Sequence, residues 1–264
     1  MVELPATVLE LAGDRTSGAA QIAERAAHTL VELGPDDARE AALVLARAHP
    51  SMAPLLRLAS LVLDHPSRGA REFIEEMLGF DSASARVAAG VLPAGTIVTI
   101  SFSTTVLEAL RVRRPKMVLC MESEPGGEGV RAAQAAARFA ETRLLPDVVA
   151  MDTVPADAVL VGADAVTPDA VVNKVKTRRL AESASRLEVP CYAVAGLTKF
   201  VSPGVRVTEC SESVQLDLFI GIAAPEGLLT AERARALADS RSLHPLLFDQ
   251  PDGYSRLIQV PPGP

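Results

Sequence analysis

Tryptophan is absent from this 264-residue chain, and all aromatic residues together make up only 3%. Proteins that hold single-stranded nucleic acid stack bases on aromatic rings, so this chain has almost nothing from which to build such a platform. Positive charge is also short: Lys plus Arg number 26 against 33 Asp plus Glu, for a formal charge of −7. A phosphate backbone attracts the opposite balance, and nucleic acid is not expected as a partner. Cysteines are few. Cys120, Cys191 and Cys210 lie far apart, form no CxxC pair and have no histidine at metal-ligand spacing, which argues against a disulfide framework or a structural zinc site. The apolar stretches are interrupted by Arg, Asp, Pro or Gly well short of the roughly 20 residues that a membrane span requires, so no membrane partner is expected. The first residues carry Glu3 and Glu10 and lack a basic, then apolar, leader pattern; a reducing cytoplasm is the expected setting.

Three catalytic signatures are missing as well. No GxGxxG fingerprint, no Walker sequence and no GxSxG nucleophile elbow occurs. The four histidines, His28, His49, His65 and His244, are scattered without Ser-His-Asp logic and read as surface or packing residues.

What the chain does have is apolar material, 48% of its residues, arranged in two different patterns. Up to about residue 89 apolar residues recur at intervals of three and four among Ala, Leu, Glu and Arg, which predicts five or six short helices. Gly34, Pro35, Asp36 and Asp37 end one helix and open the next. The 81–84 segment, Asp81 to Ser84, can cap a further helix running to Gly90. After Gly90 the pattern becomes strand, polar turn, helix. Strands are expected at 96–100, 117–121, 148–151, 158–161, 190–195 and 214–219, with helices at 106–111 and 130–141. Continuous apolar strands alternating with helices predict a parallel sheet covered on both faces. The expected organisation is α/β: a helical part over 1–90, a Rossmann-like, doubly wound and mainly parallel sheet over 91–250, and a Pro-rich tail over 251–264.

In such sheets ligands bind beyond the carboxyl ends of the strands, which directs attention to three turns. The 101–105 turn, Ser-Phe-Ser-Thr-Thr, sets four hydroxyls at a helix N-terminus, an arrangement that suits either a phosphate or ordinary N-capping. The 122–129 turn is rich in glycine, so a backbone could approach a ligand closely, yet its three glutamates would repel an anion unless Arg131 or another cation compensates. A flexible surface turn fits equally well. In the third turn Asp164 follows Gly162 and Ala163, and Asn173-Lys174 begins nine residues later. Asp164 could serve as a general base while Lys174 binds a phosphate or polarises a carbonyl; a structural Asp–Lys ion pair accounts for the same spacing.

These residues resemble a known superfamily. Gly162-Ala163-Asp164, Asn173-Lys174, Thr177, Leu180-Ala181, Pro190 and Lys199-Phe200, in this order, are similar to the motifs shared by initiation factor 2B regulatory subunits and the methylthioribose-1-phosphate and ribose-1,5-bisphosphate isomerases. The 97–107 segment resembles that family's first strand and turn, Glu122-Ser123 with Pro125 and Gly129 its second, and Asp14-Arg15 with Ser17-Gly18-Ala19 its helical-domain motif. The resemblance covers roughly residues 10–225. It implies a helical domain, a Rossmann-like domain, a homodimer and a phosphorylated small-molecule ligand. In the isomerases it implies an aldose-1-phosphate to ketose-1-phosphate conversion without metal or nucleotide cofactor. By this resemblance Asp164 is a catalytic residue, and Arg15, Gly18, Ser103, Asn173, Lys174 and Lys199 face the substrate.

Two positions depart from the isomerase pattern. Ser101 stands where those enzymes carry a catalytic cysteine, and a hydroxyl is a far weaker acid than a thiol. Glu124 stands where they usually present an arginine, and a carboxylate cannot replace a guanidinium at a phosphate. Arg131, Lys176, Arg178 and Arg179 are candidate replacements, although a solvated helix face also explains the cluster. The 152–158 interval leaves little room for the helix the family usually places there. Two functions remain open: an isomerase-like enzyme using Asp164 and Ser101, or a non-catalytic regulatory protein that senses a sugar phosphate or nucleotide.

Overall fold

The computed structural model describes residues 4–153, 156–202 and 205–248. Five helices come first: α1 Ala6–Gly13, α2 Ala19–Val31, α3 Pro35–Ala48, α4 Ala53–Asp64 and α5 Gly69–Val91. Small residues on their facing stripes, including Ala23, Ala26, Ala27, Ala41, Ala42 and Ala59, let the helices pack closely around Leu30, Leu45, Leu58 and Phe73. The expected cap at Asp81 is not there. Helix α5 runs unbroken through residues 81–84, because its first half buries Phe73 and Met77 in the helical core while its second half lays Ala85 and Ala88 on the sheet. Burial on two successive cores overrides the local capping preference of Asp and Ser.

Beyond α5 the order is β1 Thr96–Thr99, α6 Thr104–Arg113, β2 Met117–Met121, α7 Glu128–Ala136, β3 Glu141–Leu145, α8 Asp147–Thr153, β4 Ala158–Val161, β5 Ala165–Val166, β6 Ala170–Lys174, α9 Thr177–Arg186, β7 Cys191–Val194, β8 Ser211–Gln215, β9 Gly221–Ala224, β10 Gly227–Leu229 and α10 Ala231–Asp239. Short 3-10 turns at Leu197–Lys199, Leu216–Leu218 and Pro245–Leu247 complete the described elements. The large sheet runs β10-β9-β7-β4-β1-β2-β3, parallel throughout except for β10. Its six parallel strands follow the doubly wound order, and the winding reverses between β1 and β4. Alternate residues feed opposite faces: Val98, Val159 and Ile222 enter one core, Ile97, Ala158 and Ala223 the other.

The structure differs from the sequence reading at several elements. The 148–151 stretch is the middle of helix α8 rather than a strand. Its Val148 and Val149 are exposed while Ala150 and Met151 are buried, a one-sided arrangement that a fully buried strand would not give. Helix α7 stops at Ala136, so Glu141 opens β3 instead of ending a helix. β3 is a sheet edge with mostly exposed side chains, which is why no apolar run marks it. The expected 214–219 strand is split. Its start belongs to β8, in a separate antiparallel sheet of order β5-β6-β8, and its end is the 3-10 turn before β9. This small sheet wedges between the two layers: Ala165 and Val172 face the helical core, while Val166, Val171 and Val214 face the large sheet's core. Residues 251–264, read as a tail, lie outside the described residues.

Candidate functional site

The crossover between β1 and β4 opens into a cavity of about 720 Å³ between the helical layer and the carboxyl ends of the strands. All eight residues singled out in the sequence line it: Arg15, Gly18, Ser101, Ser103, Asp164, Asn173, Lys174 and Lys199. The convergence has a steric basis. A Cβ on Gly18 would stand 3.1 Å from the Phe102 carbonyl oxygen, and one on Gly162 would stand 2.9 Å from the Cβ and Oγ of Ser103. Only glycine lets the start of α2 and the end of β4 approach the β1 turn this closely.

Two helices point their N-termini at this space. Gly18 caps α2 with no side chain over its first amides, and Ala19, Ala20 and Gln21 line the wall. Ser103 caps α6, its Oγ accepting from the Val106 amide at 3.3 Å. The capping reading of the 101–105 turn therefore holds for Ser103. Free N–H groups and the helix dipole also make these ends favourable for an anion. The Ser101 amide donates to the Ser123 Oγ at 2.7 Å; Ser101 and Ser123 both adopt positive φ, 64° and 66°, so a sharp turn holds them together.

Asp164 is fixed through its backbone. Its amide donates to the Val172 carbonyl at 2.8 Å, and its carbonyl accepts from the Ala53 amide at the start of α4 at 2.9 Å. Its carboxylate makes no hydrogen bond to a described residue. Burial pushes this carboxyl up to about 6, with Lys199 pulling down, Glu128 pushing up and Lys174 pulling down. Lys199 is 4% exposed and lines the cavity, and its side chain has no hydrogen bond or ion pair among the described residues. An ammonium taken out of water without a hydrogen bond is costly, and this one lines the space where a ligand would sit.

Lys174 is differently placed. It is buried, donates to the Pro125 carbonyl and pairs with Glu128 Oε1 at 2.8 Å. An ion pair explains Lys174, but its partner is Glu128 rather than Asp164. Glu128 Oε2 is buried and without a partner. Asn173 donates from Nδ2 to Thr177 Oγ1 at 3.1 Å, and Thr177 in turn donates to the Lys174 carbonyl at 2.6 Å. Arg15 donates to the Ala12 carbonyl at 2.8 Å and reaches His49 Nδ1 at 3.5 Å. Burial holds the His49 ring below its usual value, and its Nε2 lies 2.8 Å from the Leu11 carbonyl. With Nε2 donating there, the ring is neutral and Nδ1 is an acceptor for Arg15.

The proposed replacement cations lie elsewhere. Arg131 donates to the Thr16 carbonyl at 2.6 Å and covers the Phe102 ring at 4.5 Å; Lys176 pairs with Asp147, Arg178 donates to the Ser213 carbonyl and Arg179 pairs with Asp152. Sequence reasoning missed Glu128, His49 and Cys210 as lining residues. Glu128 belongs to the 122–129 turn, whose glycines were the available signal; nothing in the local sequence distinguishes His49 or Cys210, which reach the cavity through tertiary packing. Cys210 is exposed, while Cys120 and Cys191 are buried, with burial pushing both thiols up to about 12.

Residues 16–220 match the Initiation factor 2 subunit family. The chain belongs to that family. A Pyrococcus horikoshii protein described as translation initiation factor eIF-2B subunit 2-like is 31% identical over 223 residues, covering 75% of this chain and 80% of the relative. The crystal structure of the Pyrococcus horikoshii OT3 translation initiation factor eIF-2B matches with a TM-score of 0.75 at 27% identity, over 86% of this chain and 98% of that one. The 5-methylthioribose 1-phosphate isomerase of the same organism shares the fold, with a TM-score of 0.66 at 18% identity over 88% of this chain and 86% of that one. The family thus joins eIF-2B-type regulatory subunits and methylthioribose-1-phosphate isomerases.

Proposed function

We propose that the chain binds a sugar phosphate in the β1–β4 cavity and that Asp164 moves a proton in an aldose–ketose isomerisation of that ligand. The carrying observation is the pair Asp164 and Lys199: opposite charges in one cavity wall, neither side chain hydrogen-bonded among the described residues, beside the N-termini of α2 and α6. The helix ends receive the phosphate. Lys199 pairs with an anionic oxygen, and Asp164, whose carboxyl is held at about 6, can both accept and return a proton near neutral pH. Ser101 supplies a hydroxyl at the β1 end for ring opening, either directly or through a water. No metal or nucleotide enters this scheme. β3 is an edge strand, and its Leu144, with Val148 and Val149 just after it, is exposed, which supports pairing as a homodimer.

The second reading is a non-catalytic sensor of the same ligand class. It is favoured by Ser101, which lacks thiol acidity, and by the engagement of Lys174 with Glu128. Proton NMR of the protein with ribose 1,5-bisphosphate and with methylthioribose 1-phosphate separates the two. Ketose signals with the wild type and none with Asp164→Asn support the isomerase. Ligand line-broadening without turnover, lost in Lys199→Ala, supports the sensor.

A further inference from the structure

One carboxylate with a buried oxygen packs against the turn that carries Lys199 and is not used by the reading above. Asp81 sits in the middle of α5, where that helix passes from the helical core to the sheet. Its Oδ1 is buried and has no hydrogen-bond partner. The carboxylate packs against Gly196 so closely that a Cβ there would stand 2.2 Å from Oδ1. One turn along the same helix, Ser84 Oγ donates to the Ala195 carbonyl at 3.0 Å and the Phe80 carbonyl at 2.8 Å. Helix α5 is therefore bound to the turn that carries Lys199, whose own amide donates to the Gly196 carbonyl at 3.0 Å. Burial pushes the Asp81 carboxyl up, and the charge that pulls it back down is Lys199. The charges facing Asp164 are Lys199 from the same turn, Glu128 from α7 and Lys174 from β6.

Stability does not explain this arrangement, since buried charges without hydrogen bonds cost more than they return. The charge balance does offer a reason. With all three carboxyls ionised, Asp81, Asp164 and Glu128 set three negative charges against two ammoniums, Lys174 and Lys199, one in excess. A proton taken up by one carboxyl neutralises it. Glu128 also lines the cavity but is engaged with Lys174, and Asp81 faces Gly196; of the three, Asp164 is the cavity-lining carboxyl without an ion pair among the described residues.

We propose that Asp81 is a positioning residue of the ligand site: it draws Lys199 toward the helical layer, divides that ammonium between two carboxylates and so leaves Asp164 free to hold a proton. This rests on Asp164 being the proton-moving group of the cavity. When an anionic ligand enters, it competes with both carboxylates for Lys199, and the ammonium turns toward the ligand without having to break a hydrogen bond.

The test is a carboxyl-carbon NMR titration of Asp164 in the full chain without ligand. Asp81→Asn removes the excess charge and gives Lys199 wholly to Asp164, so the Asp164 midpoint falls by about one pH unit. Lys199→Gln removes the shared cation and moves the midpoint up by about the same amount. Inorganic phosphate, followed by phosphorus NMR at pH 7.5, binds about threefold tighter to Asp81→Asn than to the wild type. An Asp164 midpoint unmoved in Asp81→Asn, with only a lowered melting temperature, overturns the proposal and makes Asp81 structural. If Asp81→Asn does not fold, the smaller Asp81→Ser, which removes the same charge, decides: an Asp164 midpoint that does not fall overturns the proposal. Midpoints that move as stated while phosphate binds no form of the protein uphold the role of Asp81 and refute the phosphate reading of the cavity.

Discussion

Gly162 and Ser103 meet at the point where the sheet reverses its winding: a Cβ on the glycine would lie 2.9 Å from the serine's Cβ and Oγ. This approach brings the end of β4, and with it Asp164, against the N-terminus of α6. Gly162→Ala must push the two turns apart, since Ser103 is held by its cap to Val106. A loss of about 1 to 3 kcal/mol in urea unfolding is expected, together with loss of the Ser103 cap, read as faster hydrogen exchange at the Val106 amide.

The Lys174–Glu128 pair is buried on both sides, at 6% and 15% side-chain exposure. Lys174→Met leaves a buried carboxylate without its cation and is expected to cost about 3 kcal/mol. The double variant Lys174→Met/Glu128→Gln removes both charges and should recover more than half of that loss. Additive losses in the double-mutant cycle would show that the pair is not coupled.

The Asp164 carboxyl, held at about 6 by burial, binds its proton more tightly in the folded state than in the unfolded chain. Stability from this group is therefore greatest below the ordinary carboxylate range and falls as pH rises toward about 6. Asp164→Asn does not titrate. Its stability relative to wild type should rise through that interval and level off above it, gaining up to about 3 kcal/mol in the absence of ligand. Denaturation at pH 4 and at pH 7.5 measures the difference; equal gains at both values would contradict it.

Cys210 is exposed at the cavity while Cys120 and Cys191 are buried, with thiols pushed up to about 12. A thiol reagent such as Ellman's should titrate one cysteine quickly in the native protein and three in denaturant. Rapid reaction of two or three native thiols would contradict the burial of Cys120 or Cys191.

The stability of the α1–α2 loop can be tested at Asp14. Partial burial pushes its carboxyl up, but hydrogen bonds from Ser17 and Thr16 outweigh this and hold it at about 2. Because the folded value is depressed, this support is present above the unfolded range and is lost as pH falls toward about 2. Asp14→Ala should remove that acid dependence and cost about 1 kcal/mol at neutral pH, with faster exchange at the Ser17 amide as the local readout.

Much of the fold could be read from periodicity. The 3.6-residue pattern of small and apolar side chains marked the helical layer, and the continuous apolar runs of β1, β2, β4 and β7 marked a sheet buried on both faces. Elements with mixed burial were not legible. β3 has exposed side chains because it is an edge, and α8 is too short, at seven residues, for its one-sided burial to stand out as a helical period. Asp81 read as a cap because its residue type favours one; only the packing of α5 on two cores shows that it is mid-helix.

Sequence alone placed Asp164 in the turn after a strand, because an apolar run and Gly162 precede it, but it did not mark β6, whose last residues are Asn173 and Lys174; Lys199 was marked by family resemblance. Which charges face one another was decided only by tertiary structure. Glu128 and Lys174 are 46 residues apart in the chain, and Asp81 and Lys199 come from different layers. Pairing between such residues depends on how α5 and α7 dock on the sheet, and sequence periodicity specifies only which faces of these helices are apolar. It carries no information about which polar groups are brought together once those faces are buried.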